Sequence, residues 1–105
     1  MKHDESKLQQ EVVAYLREKG WIVFSIPNER NLGVADAIRM RATGLTKGAP
    51  DLILYEPNGV CHWAELKTPK GKRSIEQECF ERIANDLGIQ YHLIRCVKDI
   101  WDIEK

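Results

Sequence analysis

The sequence predicts an α/β domain in which a central mixed sheet of about four strands is flanked by helices. Two segments carry apolar residues at helical spacing and end at glycine, four others are short, apolar and rich in β-branched or aromatic residues, and their order is helix, three strands, helix, strand. At 105 residues the chain is one domain's worth of sequence, and residues 1 to 105 are read as a single unit with one core.

Leu8, Val12, Val13 and Leu16 recur at helical spacing, Ser6 or Asp4 can cap the start and Gly20 supplies a stop, so a helix is expected over 6 to 19. Trp21 to Ile26 is apolar and β-branched and reads as a strand ended by Pro27. From Pro27 to Pro50 the periodicity is poor, although Val34, Ile38 and Ala42 suit a short helix; an irregular stretch inside a compact domain points to a substrate-facing segment. Asp51 to Glu56 and Val60 to Lys67 are two strands joined by Pro57, Asn58 and Gly59, a three-residue hairpin loop with glycine at its left-handed position. Thr68 to Arg73 is a basic loop, and Ser74-Ile75-Glu76-Gln77 has the pattern of a capping box. The helix it opens carries Phe80, Ile83, Ala84 and Leu87 as its apolar stripe and stops at Gly88. Ile89 to Cys96 is the last strand, and Val97 to Ile103 a short terminal helix.

Composition excludes several classes of protein. With 43% hydrophobic and 30% charged residues the chain is neither disordered nor membrane-spanning, and its acid-bearing N-terminus lacks the apolar stretch of a signal peptide, so a cytoplasmic location is expected. Cys61, Cys79 and Cys96 form no C-x-x-C pair and read as reduced, mostly buried thiols. Of the histidines, only His92 with Cys96 approaches metal-ligand spacing, which makes a zinc site a remote expectation. Trp21, Trp63 and Trp101 read as packing residues rather than base-stacking platforms. Sixteen basic and sixteen acidic residues balance, which argues against coating of nucleic acid by bulk charge. Locally, however, Arg39, Arg41 and Lys47 lie in a stretch without acids, and so do Lys67, Lys70, Lys72 and Arg73. Such runs are commonly solvated loops; beside a phosphate site they become candidate phosphate contacts.

The hairpin register supplies that candidate site. If Glu56 pairs with Val60 across the loop, counting back sets Asp51 opposite Glu65, with Lys67 on the same face two residues on. Two carboxylates so placed repel unless a cation or proton lies between them, and oxygen ligands suit Mg²⁺. Acids at strand ends are common and an E-x-K triplet is expected by chance in so charged a chain. Yet Asp51 and Glu65 interrupt segments that are apolar on both faces, as central strands are.

Gly48-Ala49-Pro50-Asp51, thirteen further residues, Glu65-Leu66-Lys67 and then Ser74-Ile75-Glu76-Gln77 opening a helix resemble the VRR-NUC branch of the PD-(D/E)XK nucleases. Glu5-Ser6-Lys7-Leu8-Gln9 matches the branch's E-x-x-(I/L)-Q, so the likeness extends over nearly the whole chain except the irregular segment; Ala49 stands where valine is more usual. The resemblance implies a restriction-endonuclease-like fold and a metal-dependent endonuclease that hydrolyses DNA with Mg²⁺ or Mn²⁺. It implies further a homodimer selective for branched DNA such as Holliday junctions, of the kind carried by phages. Asp51 and Glu65 would be metal ligands together with the backbone carbonyl of Leu66, and Lys67 would orient or deprotonate the attacking water. Gln77 would assist at the sheet's edge, and Glu5 and Gln9 would face the metal from the first helix, with Glu11 a less favoured candidate. Arg39, Arg41, Lys47, Lys70, Lys72 and Arg73 would contact DNA. The residues themselves leave plainer roles open: Gln77 and Gln9 can be capping-box partners of Ser74 and Ser6, and Glu5 a solvated charge at a helix start. The rival reading is a catalytically inactive nucleic-acid-binding module.

Overall fold

The computed structural model describes residues 2 to 27, 33 to 44, 46 to 101 and 103, with no side-chain description for 2 to 4 and 37. Its elements run α1 (Lys2–Glu18), β1 (Ile22–Ser25), α2 (Val34–Ala42), β2 (Leu52–Tyr55), β3 (Cys61–Leu66), α3 (Ile75–Leu87), β4 (Gln90–Ile94) and α4 (Lys98–Trp101). The four strands form one sheet in the order β1-β2-β3-β4, antiparallel except for the parallel β3-β4 pair. The sheet is therefore mixed, as expected, with α3 as the crossover that a parallel pair requires.

The hairpin forms as its sequence indicates. Glu56 N–H donates to the Val60 carbonyl at 2.9 Å and Gly59 N–H to the Glu56 carbonyl at 2.8 Å, with Gly59 at φ 95°, a value that favours glycine. Leu52 pairs with Ala64 and Leu54 with His62, so side-chain alternation gives the two faces different work. On one, Leu8, Val12 and Leu16 of α1 meet Val23, Leu52, Leu54, Ala64, Leu66, Ile94 and Ile100 in the core. On the other lie Trp63 and Glu65 of β3 with their neighbours Tyr91 and Leu93 of β4, covered by α3, whose Phe80 ring is 6.3 Å from that of Trp63.

Several expectations change. Ser6 lies inside α1 rather than at its cap, because helical backbone already extends from Lys2; the capping-box role for Gln9 is thereby removed. Ile83 and Leu87 are exposed, and the inward side of α3 consists of Gln77 and Ala84 with Phe80 half-buried. A single helix on a two-strand patch covers only a narrow strip. Val34 and Ile38 of α2 are exposed as well, at 80% and 61%. Cys79 and Cys96 are exposed rather than buried, and Cys61 is intermediate. No helix among the described residues is long and apolar enough to cross a membrane.

Candidate active site

Glu65 sits at the C-terminal part of β3, only 1% exposed, on the face that α3 covers. A carboxylate so placed needs compensation, and three donors supply it. Arg73 donates from Nε to both carboxylate oxygens at 3.1 and 3.2 Å and from Nη2 to Oε1 at 2.9 Å, while the Tyr91 hydroxyl donates to Oε1 at 2.8 Å. The other side of the guanidinium pairs with Glu81 of α3 at 2.7 Å. The hydrogen bonds to Glu65 hold the Arg73 pKa above its already high ordinary value against the opposing effect of burial. Burial, reinforced by the Glu65 charge, pushes the Tyr91 hydroxyl upward. Near neutrality the cluster therefore carries a fixed guanidinium and a neutral phenol.

Asp51 is buried and takes a different position from the one that register alone indicates. The expected count holds to Leu52–Ala64, but Asp51 then bends out of the ladder, its N–H donating to the Ala64 carbonyl at 2.9 Å. On the same count Leu66 N–H would next face Pro50, and instead the Asp51 Oδ2 accepts it at 2.7 Å. The carboxylate thus seals the end of the β2-β3 ladder. The approach is bounded by Gly48 at φ 83°, where a Cβ would lie 2.4 Å from the Glu76 Cβ and 2.9 Å from the Gln77 nitrogen. Glycine is required there both by conformation and by the contact with α3.

Lys67 is half-buried one residue past β3, its N–H donating to the Ile94 carbonyl at 3.0 Å. The loop beyond it is pinned by Arg95, whose Nη1 donates to the carbonyls of Thr68 at 2.8 Å, Pro69 at 3.3 Å and Gly71 at 2.8 Å. Lys70 and Lys72 of this loop are exposed, whereas Arg73 turns inward. Lys47 is exposed beside the start of α3, 4.0 Å from Glu76. Gln77 is buried, its Oε1 accepting from Ser74 N–H at 2.8 Å while its own N–H donates to Ser74 Oγ at 3.1 Å; the capping box is formed, and the side-chain oxygen belongs to it. Glu5 and Gln9 are half-buried on α1, whose core side meets the opposite face of the sheet from Glu65, and Glu11 is exposed. Arg39 and Arg41 are exposed on α2, with Arg39 paired to Asp36. Residues 28 to 32 and 45 of the irregular segment lie outside the described residues. Tyr91, Glu81 and Arg95 escaped sequence reasoning: no local pattern marks them, and only the parallel β3-β4 register and the packing of α3 bring them to the site.

A second buried polar cluster lies at the other end of β3, on the core face. His62, 1% exposed, shares a hydrogen bond of 2.6 Å between Nε2 and Glu56 and one of 2.9 Å between Nδ1 and His92 Nε2. The two imidazoles stack at 5.1 Å and Trp21 lies 5.2 Å from His62. Burial, with the His62 charge second, lowers the His92 pKa to about 4.

The oxygens of Asp51 and Glu65 are of the kind that a hard divalent cation takes. As arranged they do not fit one: both Glu65 oxygens accept from Arg73, Oε1 also from Tyr91, and an Asp51 oxygen holds Leu66 N–H. Among the described residues no group of three or more His, Cys, Asp or Glu side chains is disposed to hold a metal ion.

Comparison with solved structures finds a likeness to a protein titled "VRR_NUC domain", with a TM-score of 0.71 over 95% of this chain and 92% of that one, at 19% sequence identity. The chain has the fold of a VRR_NUC domain. No family model matches the sequence and no curated protein matches it. The likeness is thus carried by architecture, and the mixed sheet flanked by helices is consistent with the restriction-endonuclease-like fold that the family resemblance implies. In this VRR_NUC fold the crossover helix α3 supplies Glu81, β3 supplies Glu65 with Lys67 one residue beyond its end, and β4 supplies Tyr91 with Arg95 one residue beyond its end.

Proposed function

We propose that this protein is a nuclease that hydrolyses phosphodiester bonds of DNA. The observation that carries the reading is the gathering, on a VRR_NUC fold, of Asp51, Glu65 and Lys67 at one end of the β2-β3 ladder beside a loop that presents Lys70 and Lys72. Lys67, two residues past Glu65, would supply an ammonium suited to orienting water and to countering charge that develops on a phosphate. The outward lysines, with Lys47, Arg39 and Arg41, suit phosphate contacts that position the strand. Dependence on Mg²⁺ or Mn²⁺, preference for branched or junction DNA, and action as a homodimer belong to the same proposal. A two-fold symmetric junction calls for two symmetry-related sites, and each chain offers one.

The test is incubation of the purified protein with labelled four-way, flap and linear DNA in Mg²⁺, Mn²⁺ or EDTA, alongside light scattering for oligomeric state. Metal-dependent cutting with four-way DNA preferred is the expected result; no cutting of any substrate overturns the reading. One observation favours the second reading, an inactive nucleic-acid-binding module: Glu65 is already neutralised by Arg73. That module would bind DNA, with no cleavage and no change on adding metal.

A further inference from the structure

We propose that Arg95 is a positioning residue for Lys67: it clasps the turn that follows β3 and so holds the alkyl stem of Lys67 in one place. The inference rests on the nuclease reading, which it deepens. Thr68, Pro69, Lys70 and Gly71 form a β-turn, closed by Gly71 N–H donating to the Thr68 carbonyl at 3.0 Å. Proline at the second position and glycine at the fourth suit such a turn. One atom reaches it from another strand. Arg95 Nη1 donates to the carbonyls of both end residues, Thr68 and Gly71, at 2.8 Å and to that of Pro69 at 3.3 Å. The clasp is itself fixed at its base, where Arg95 N–H and Cys96 N–H donate to Asp99 Oδ2 at 2.8 and 3.2 Å.

Lys67 lies against this turn. A Cβ at Gly71 would stand 3.4 Å from Lys67 Cδ and 3.0 Å from Thr68 Oγ1, so the lysine stem passes close beside Gly71. The Lys67 backbone is anchored separately, its N–H donating to the Ile94 carbonyl at 3.0 Å. Backbone and stem are therefore both tied to the end of β4, one through the ladder and the other through Arg95. A lysine stem is flexible, and an ammonium stabilises charge developing at a phosphate most when its place is set beforehand. Arg95 acts through the turn, its Nη1 engaged by backbone carbonyls.

The experiment is acetylation of the full chain by a limiting dose of acetic anhydride in the absence of nucleic acid, for wild type, Arg95→Met and Arg95→Lys. Peptide mass spectrometry reads the labelling of Lys67 against that of Lys7, an exposed residue of α1. Arg95→Met keeps an unbranched stem without donors and is expected to raise relative Lys67 labelling by about 3-fold or more, as local opening of the turn uncovers the stem. Arg95→Lys keeps the charge but ends one bond short of the carbonyls, and is expected to release Lys67 too; it serves should Arg95→Met fail to fold. Wild-type labelling of Lys67 in either folded variant overturns the proposal. Single-turnover cleavage gives a second readout. Arg95→Met should lower the rate at saturating protein by about 10-fold, yet have no further effect on top of Lys67→Ala, because a residue acting through Lys67 has nothing left to position. Equal losses in both backgrounds overturn the proposal. Release of Lys67 in Arg95→Met without DNA cutting by wild type removes the nuclease reading alone, whereas cutting by wild type with Lys67 labelling unchanged removes the Arg95 inference alone.

Discussion

Strand β3 carries a buried polar cluster at each end, and the two are built on opposite electrostatic principles. At its C-terminal end Glu65 is answered by Arg73 and Tyr91, groups that do not titrate near neutrality. At its N-terminal end Glu56 is answered by His62 and, through it, by His92, whose pKa is lowered to about 4. The first cluster lies beside the exposed basic loop, the second beside Trp21 on the core face of the sheet. The difference separates a cluster whose charge is permanent, and which only another ion can rearrange, from one that a proton can rearrange.

The largest effect expected on this contrast comes from the C-terminal end. Asp51→Asn and Glu65→Gln should each lower DNA cleavage by roughly two orders of magnitude or more, as loss of charged groups from a preorganised site does. Measured under single-turnover conditions, a rate near wild type would remove the site. Glu65→Gln should also cost about 1–3 kcal/mol in urea unfolding, since it leaves Arg73 with Glu81 as its remaining carboxylate. Removing Glu65 therefore strips a partner rather than relieving the acid-acid repulsion that the sequence suggests.

The N-terminal cluster should announce itself in pH. His92 is held neutral in the folded protein to about pH 4, whereas an unfolded histidine takes up its proton near 6.5, so between these values the unfolded chain binds more protons. Stability is accordingly expected to be level above about pH 6.5, to fall by on the order of 2–3 kcal/mol as pH drops towards 4, and to gain nothing further from this group below that. Urea midpoints at pH 7 and 4.5 measure it. His92→Phe should flatten that window, and an unchanged slope in the variant would take the contrast away.

Smaller effects sharpen the picture of the loop. Arg95→Ala removes donors from the Thr68, Pro69 and Gly71 carbonyls and should cost about 1–2 kcal/mol, with DNA affinity falling because Lys70 and Lys72 lose their support. Lys70→Ala with Lys72→Ala should weaken binding to all DNAs alike and reduce the salt slope by up to about 2, while junction preference survives. A salt titration showing an unchanged slope would make them ordinary solvated lysines.

Much of this organisation is legible in the order of residues. The helical stripe of Leu8, Val12 and Leu16, the three-residue hairpin at Pro57, Asn58 and Gly59, and the Ser74–Gln77 capping box all depend on neighbours within a few residues. Local periodicity, turn geometry and capping are encoded at that range, and the hairpin register down to Leu52–Ala64 follows from the turn that joins the strands. What the tertiary structure decided is the company those groups keep. Asp51 leaves the β2-β3 register so that its carboxylate accepts the Leu66 N–H; the parallel β3-β4 pairing brings Tyr91 to Glu65. Packing of α3 turns Arg73 from a solvated loop residue into a buried carboxylate's partner, with Glu81 beside it. Parallel register and helix placement are settled by long-range burial, and a buried charge accepts whichever partner that burial delivers.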